Sequence, residues 1–285
     1  MTGYLKILAA VSIWAVINGL VIKDAGSYIA PTVLGALMSL VGVILFLPSL
    51  LFTGLPKLNK KQKIALAGLG LSAALNNSFF YTALTMTAVY NAALVHYFAS
   101  ILAVVWIGVI PAFKEKIDKI SFVSVILGIA GLVIMTGSSW LEHKPWLYFA
   151  LLSAFFYSLE IVFSRQVSLN EVSPQFSSFT KLSFQLLIMP VVGVILGHSF
   201  GVPVGQLPYV GFAGLLLFLS FILIFSGLKT VPVKHFSVLG YLDRVGAIAI
   251  GRFYWGEVFG PAVWIGGFLI LIAELPIIFL RKKDA

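Results

Sequence analysis

The chain has no cysteine among its 285 residues. Disulfides and thiolate metal sites are therefore excluded. Charge is scarce too: 10% of residues carry it, where a soluble domain carries about 25%. Acids are the rarer sign, with 10 Asp and Glu against 19 Lys and Arg, for a net charge of +9. What is there is apolar, at 60% hydrophobic residues and a mean hydropathy of +1.05. Such a chain cannot cover itself with polar surface, so its solvent is lipid. Its 24 Phe and 26 Gly suit helices that pack closely and show aromatics to lipid or to a cavity. In a soluble protein the positive balance would suggest nucleic acid. Here basic loops on one membrane face explain it, and no nucleic-acid partner is expected.

A membrane span needs about 20 apolar residues. On that criterion about ten spans are expected: Tyr4–Val21, Ile29–Phe52, Ile64–Leu84, Val89–Ile110, Ile120–Gly137, Trp146–Phe163, Phe176–Leu196, Leu207–Leu228, Phe236–Tyr254 and Ala262–Leu280. The first has no small-residue cleavage site after it and reads as a retained helix. The links are short and leave no room for a soluble domain. No run alternates as the strands of a membrane barrel do. The expected class is an all-α integral membrane protein. Lys57, Lys60, Lys61, Lys63, Lys114, Lys116, Lys119 and Arg281 to Lys283 gather at one set of helix ends, whereas the other set has only Lys23, Lys144 and Arg252. That asymmetry predicts both termini in the cytoplasm.

The two halves resemble each other. LKILAAVSIWAVINGLVIK, from Leu5, lies over LYFALLSAFFYSLEIVFSR, from Leu147. ALTMTAVYNAALVHYFAS, from Ala83, lies over GLKTVPVKHFSVLGYLDR, from Gly227. Pro31 then matches Pro174, Tyr97 matches Tyr241, and Asn18 matches Glu160. Residues 1–143 and 144–285 thus read as repeats of about five spans each. An odd number of spans turns the second copy over, which gives two inverted five-helix repeats. Such a pair places a substrate site near midplane, between the copies and around a central cavity.

The charges inside the spans are Asp243, Glu160 and Glu274 against Arg244 and Lys181, three acids to two bases. Each is costly in lipid and is expected to face protein or water. Arg244 has the planar fork of donors that grips a carboxylate or phosphate, and Asp243 beside it suits an ammonium or a proton. The competing reading is an internal ion pair that locks helices. Glu160 continues a stripe with Ser153, Phe156 and Tyr157, as Asn18 does with Trp14. It reads as a gate or proton site, or as a carboxylate snorkelling to the interface or paired with Lys181. A bridge from Lys181 to Glu160 or Glu274 would be structural. His96 is read as bonded to a neighbouring hydroxyl or backbone group, or as a pH-sensitive cavity contact. Asn76 and Asn77 need partners in lipid, and a helix-to-helix hydrogen bond is expected for one of them. Tyr97 and Tyr241 flank the centre as repeat mates. Glu257 reads as an exposed helix-end salt bridge, and Gly193 with Gly197 as a close-packing GxxxG. No P-loop, dinucleotide fingerprint or metal-ligand cluster is present, so neither ATP hydrolysis nor a cofactor is expected.

SIWAVINGLVIK, YTALTMTAVYNAALVHYFASILAVVW, KEKIDKISFVSVILGIAGLVIM and FYWGEVFGPAVWIGGFLILIAELP together resemble the EamA-type transporters of the drug/metabolite transporter superfamily, over essentially the whole chain. The resemblance implies ten helices around a central cavity, transport of small metabolites with amino-acid export foremost, and a bacterial inner membrane. Where such families show Glu-Pro, or a small residue and Pro, this chain has Asp243-Arg244 and Ala99-Ser100. The expectation is a secondary transporter working by alternating access on a small zwitterionic or amphipathic metabolite. Arg244, Asp243, Tyr241, Tyr97, His96, Asn77, Trp14 and Asn18 would form its site, with Glu160, Glu274 and Lys181 for coupling or gating. A proton or a counter-substrate is the coupling partner left open, as is the oligomeric state. The rival readings are a proton-coupled exporter of drugs or organic cations and, from other classes, a membrane-embedded enzyme or a scaffold.

Overall fold

A computed structural model of the chain describes residues 2–109, 119–141, 143–228 and 242–279, and among these there is helix and no strand. The long helices follow the expected spans closely. They are α1 (Thr2–Val16), α2 (Pro31–Thr53), α3 (Lys60–Met86), α4 (Val89–Val109) and α5 (Lys119–Leu141) in the first half. The second half has α6 (Pro145–Leu169), α7 (Pro174–Ile195), α8 (Leu207–Leu228), α9 (Leu242–Phe253) and α10 (Pro261–Phe279). α1 runs on through a π-helical turn, Ile17–Val21, and a short last helix, Ile22–Ala25. The first part of the expected ninth span lies outside the described residues.

Six of these segments are long and apolar enough to cross a membrane, and α4, α5 and α10 contribute shorter apolar stretches. Their outer faces present large apolar side chains, Phe52 at 92% exposure and Ile195 at 77% among them, as lipid contact requires. Local chemistry sets the helix starts. α2, α6, α7 and α10 begin on Pro31, Pro145, Pro174 and Pro261, the first helical position, where a missing N–H costs nothing. Asn59 and Gln62 form a reciprocal capping box on α3 (2.9 Å each way). At the end of α7 the glycine pair does two different jobs. Gly193 lies close against Thr32, whereas Gly197 sits at φ +71° beyond the last turn, with open space where a side chain would stand. The second glycine of the expected GxxxG ends the helix, since a left-handed residue there favours glycine.

Packing displays the repeat directly. α3 packs on α6 and α7, while α8 packs on α1 and α2. α4 packs on α6, and α9 on α1. α2 meets α7, and α5 meets α10. Exchanging each helix for the one five places along reproduces these pairings, so the halves interlock about a pseudo-twofold axis. At the crossing of α5 and α10 a Cβ on Gly131 would stand 2.6 Å from the Gly266 carbonyl oxygen, so the two backbones touch.

One end of the bundle is tied together by polar contacts, some within the first half and some between the halves. The Trp255 indole N–H donates to the Gly19 carbonyl in the π turn at 2.8 Å. Lys23 Nζ donates to the carbonyls of Leu84 (3.2 Å) and Thr87, at the C-terminus of α3. The Glu257 carboxylate accepts from the backbone N–H groups of Val89 (2.6 Å) and Tyr90 (3.4 Å), at the N-terminus of α4. A cation at a helix C-terminus and an anion at a helix N-terminus each complement the helix dipole. This corrects the expectation of an exposed salt bridge for Glu257: its partners are backbone donors of the other half. At the opposite end, Gln62 Nε2 donates to the Asn170 carbonyl at 2.9 Å.

Candidate functional site: a cavity between two buried ion pairs

Inside the bundle α1, α3, α4, α6, α7, α8 and α9 together line one cavity. Trp14, Asn18, Asn77, His96, Glu160, Lys181, Asp243 and Arg244 all line it, so one cavity collects eight of the expected site residues. They arrive from five helices, α1, α3, α4, α6 and α7, and from the start of α9. Tyr97 is corrected in part. Its ring is 1% exposed and stands beside Arg244, outside the cavity wall. Tyr241 lies outside the described residues. Glu274 is on α10, and its side chain is likewise outside what is described.

Arg244 and Asp243 are both buried, at 6% and 1% exposure. Arg244 Nη1 donates to Asp243 Oδ1 at 2.9 Å. Neighbours in a helix point about 100° apart, and the long arginine side chain bridges that angle. The guanidinium carbon lies 4.9 Å from the Tyr157 ring centroid and 5.5 Å from that of Tyr97. Both distances are within cation–π range. Arg244 Nε is buried and has no hydrogen-bond partner among the described residues.

The second pair joins α6 to α7. Lys181 Nζ donates to Glu160 Oε1 at 2.6 Å. The ammonium also lies 4.9 Å from the Phe221 ring centroid and 5.6 Å from that of Trp14. Trp14 is held in turn by its indole N–H, which donates to Ser220 Oγ at 2.6 Å. Glu160 is 5% exposed. Of the readings offered for it, snorkelling to the interface is overturned, because its partners are Lys181 and Asn76 in the interior.

A line of hydrogen bonds runs from this pair to His96. Asn76 Nδ2 donates to Glu160 Oε2 at 3.0 Å. Ser153 Oγ donates to Asn76 Oδ1 at 2.9 Å. His96 Nδ1 lies 2.8 Å from Ser153 Oγ. His96 stacks between Phe80 and Tyr157, with centroids at 4.3 and 4.5 Å. Tyr157 therefore touches His96 and Arg244 together. The expected hydroxyl bond and the expected cavity contact of His96 both exist in this arrangement. The interhelical bond expected of one asparagine belongs to Asn76, while Asn77 lines the cavity.

Sequence reasoning did not place Asn76, Tyr157, Phe80 or Tyr81 in the site, yet all four line the cavity. The signal for Tyr157 was present in its stripe with Ser153 and Glu160. Tyr81, one turn beyond Asn77 on α3, was legible only as part of an apolar run. Gln185 was also missed. It is 1% exposed, four residues along α7 from Lys181, and accepts from Ser39 Oγ at 3.0 Å.

The family model of the EamA-like transporters matches this chain twice, over residues 1–137 and 144–279. The chain belongs to the EamA-like transporter family. The two matched segments are the two interlocked halves of the fold, and the cavity of this EamA-like protein lies where they meet. A solved crystal structure, 20% identical, superposes with a TM-score of 0.64 over 99% of each chain. At that identity the likeness shows the shared fold alone. No curated protein matches the chain. Membership makes the protein a membrane transporter of the drug/metabolite type with a small-molecule substrate.

Proposed function

We propose that this EamA-like protein is a secondary transporter of small zwitterionic or amphipathic metabolites, amino acids first, and that Arg244 holds their carboxylate. The observation that carries the reading is the state of Arg244. A buried donor left unmet costs about 1–3 kcal/mol, and Nε is such a donor at a cavity wall. A carboxylate satisfies it and brings the second charge that the fork geometry favours. Asp243 or Glu160 takes the amino group. Ile17, Phe80, Leu217 and Phe221 offer apolar wall to the side chain. Transport proceeds by alternating access, the halves rocking about the site they share, with export from the cytoplasm as the direction. Both termini lie in the cytoplasm of a bacterial inner membrane on this reading.

Counterflow in liposomes over a panel of amino acids and other carboxylates tests it. Arg244→Lys keeps the charge and loses the fork, so affinity for carboxylates falls while the protein still inserts. Removing one partner of a buried pair alone can cost roughly 3–5 kcal/mol. The control is therefore the double variant Arg244→Ala/Asp243→Ala. If the double variant is stable and transports carboxylates with unchanged affinity, Arg244 is structural and the reading fails.

A second reading, a proton-coupled exporter of organic cations, is favoured by one observation. The Lys181 ammonium already occupies an aromatic cage beside Glu160, a place where an organic cation could exchange against protons. Competition between cationic dyes and protons, abolished by Glu160→Gln, would select it.

A further inference from the structure

The hydrogen-bond line from Glu160 has a direction that the donors and acceptors impose. Glu160, paired with Lys181, is ionised and only accepts. Asn76 must therefore turn its amide N–H₂ to Glu160 and its carbonyl to Ser153. Ser153 has one proton and gives it to Asn76 Oδ1. Its oxygen can then only accept from His96, so His96 Nδ1 bears a hydrogen. Both described acids of the cavity are already paired, Asp243 with Arg244 and Glu160 with Lys181, which leaves none for an imidazolium. Arg244 also lies against the same Tyr157 ring that His96 stacks on, so a second positive charge there would meet like charge. The imidazole is neutral, and its other nitrogen, Nε2, carries a lone pair. His96 lines the cavity, and among the described residues Nε2 has no hydrogen-bond partner.

We infer that His96 is a specificity-determining residue whose Nε2 accepts a hydrogen bond from the substrate's nitrogen. The inference rests on the carboxylate reading above and narrows it. Arg244 supplies donors, and His96 supplies an acceptor whose tautomer the Glu160 line holds. A carboxylate substrate with an N–H fits both; a quaternary ammonium carboxylate fits only the first. Asn76 and Ser153 are positioning residues, since they act through His96.

The test uses the full chain in liposomes and three panels of compounds. These are the proteinogenic amino acids, their N,N,N-trimethyl analogues, and their des-amino carboxylates. The trimethyl compounds keep the positive charge and lose every N–H. A site built around a hydrogen bond rejects analogues that lack the donor, so wild type should prefer the free amines by about tenfold or more in KM. His96→Gln carries an amide oxygen to about the reach of Nε2 and should keep most of that preference. His96→Asn can still donate to Ser153 but cannot reach the substrate, and should lose the preference. Both variants are smaller than histidine. If the preference were only a matter of room for methyl groups, both would lose it together, and the inference would be overturned. Equal transport of all three panels by wild type leaves the carboxylate reading intact and refutes the role of His96. Transport of none of them refutes that reading and this inference with it.

Discussion

Glu257 offers the sharpest test of whether the polar contacts at one end of the bundle hold the cavity shut on that side. Its carboxylate receives two backbone N–H groups at the start of α4 and lies close against Gly251, where a Cβ would stand 2.5 Å from Oε2. Glu257→Gln retains one carbonyl oxygen and so keeps one of the two bonds. It loses the charge at the helix terminus, a term of about 0.3–1 kcal/mol when exposed and up to about 2 when partly buried. Glu257 is half-buried, so a net loss of about 1–2 kcal/mol is expected, or roughly 5–30-fold in the ratio of open to closed. Asn18 lines the cavity one residue from Gly19, the acceptor of the Trp255 indole. The chain has no native cysteine, so Asn18→Cys reports cleanly with an impermeant thiol reagent added on that side. The labelling rate should rise by the stated factor in Glu257→Gln. Trp255→Phe, which removes the indole N–H together with part of the ring system, should raise it too. Gln62→Ala, at the far end, should not. An unchanged or slower rate in a folded Glu257→Gln protein would show that these contacts support α4 without gating anything.

Other outcomes follow from the same structure. A cysteine at Lys144 should label from outside intact cells and one at Lys60 only after lysis; the reverse pattern would overturn the proposed orientation. Glu160→Gln should flatten the pH dependence of transport, and if Asp243→Asn and Glu274→Gln join it in keeping the full response, no intramembrane acid carries the coupling proton. Gly131→Val should force α5 from α10 at the Gly266 carbonyl and lower thermal stability, whereas Gly205→Val, with open space around it, should not. His198, between α7 and α8, bonds Thr32 Oγ1 through Nδ1 at 2.9 Å, and burial lowers its pKa. The neutral form is therefore the one the fold favours. Its contribution is full above the unfolded value near 6.5 and is lost as pH falls through the lowered folded one. His198→Gln should remove that part of the acid destabilisation in a pH series of melting curves.

The helices were legible because lipid imposes a plain rule: about 20 apolar residues per crossing, ended by Pro, Gly or Lys. The repeat was legible because Pro31 and Pro174, or Asn18 and Glu160, keep their spacing. The convergence of Arg244, Asp243, Glu160, Lys181 and His96 followed from the cost of charge in lipid, which leaves an ionisable residue only the interior. Their pairing did not. The choice of Lys181 between Glu160 and Glu274 depends on which faces of α6 and α7 meet, a matter of packing that hydropathy does not encode. Glu257 was misread for a related reason. The sequence shows an acid between two spans, but its partners are N–H groups contributed by a helix 168 residues away.

The π-helical turn at Ile17–Val21 has an arithmetic consequence for the cavity. It accommodates one more residue than an α turn in the same rise. One residue is worth about 100° of rotation. Deleting a single residue there would let α1 close into a regular helix and lose nothing in backbone bonding. Thr2–Val16 would keep its face toward the cavity, because the π turn already absorbs the extra residue. The same deletion in a regular stretch of the helix between Trp14 and the π turn would instead turn everything before it by that angle, and Trp14 would swing away from Lys181 and Ser220. In this transporter the π turn is a place where the chain can change length by one residue and leave the cavity wall before it unturned.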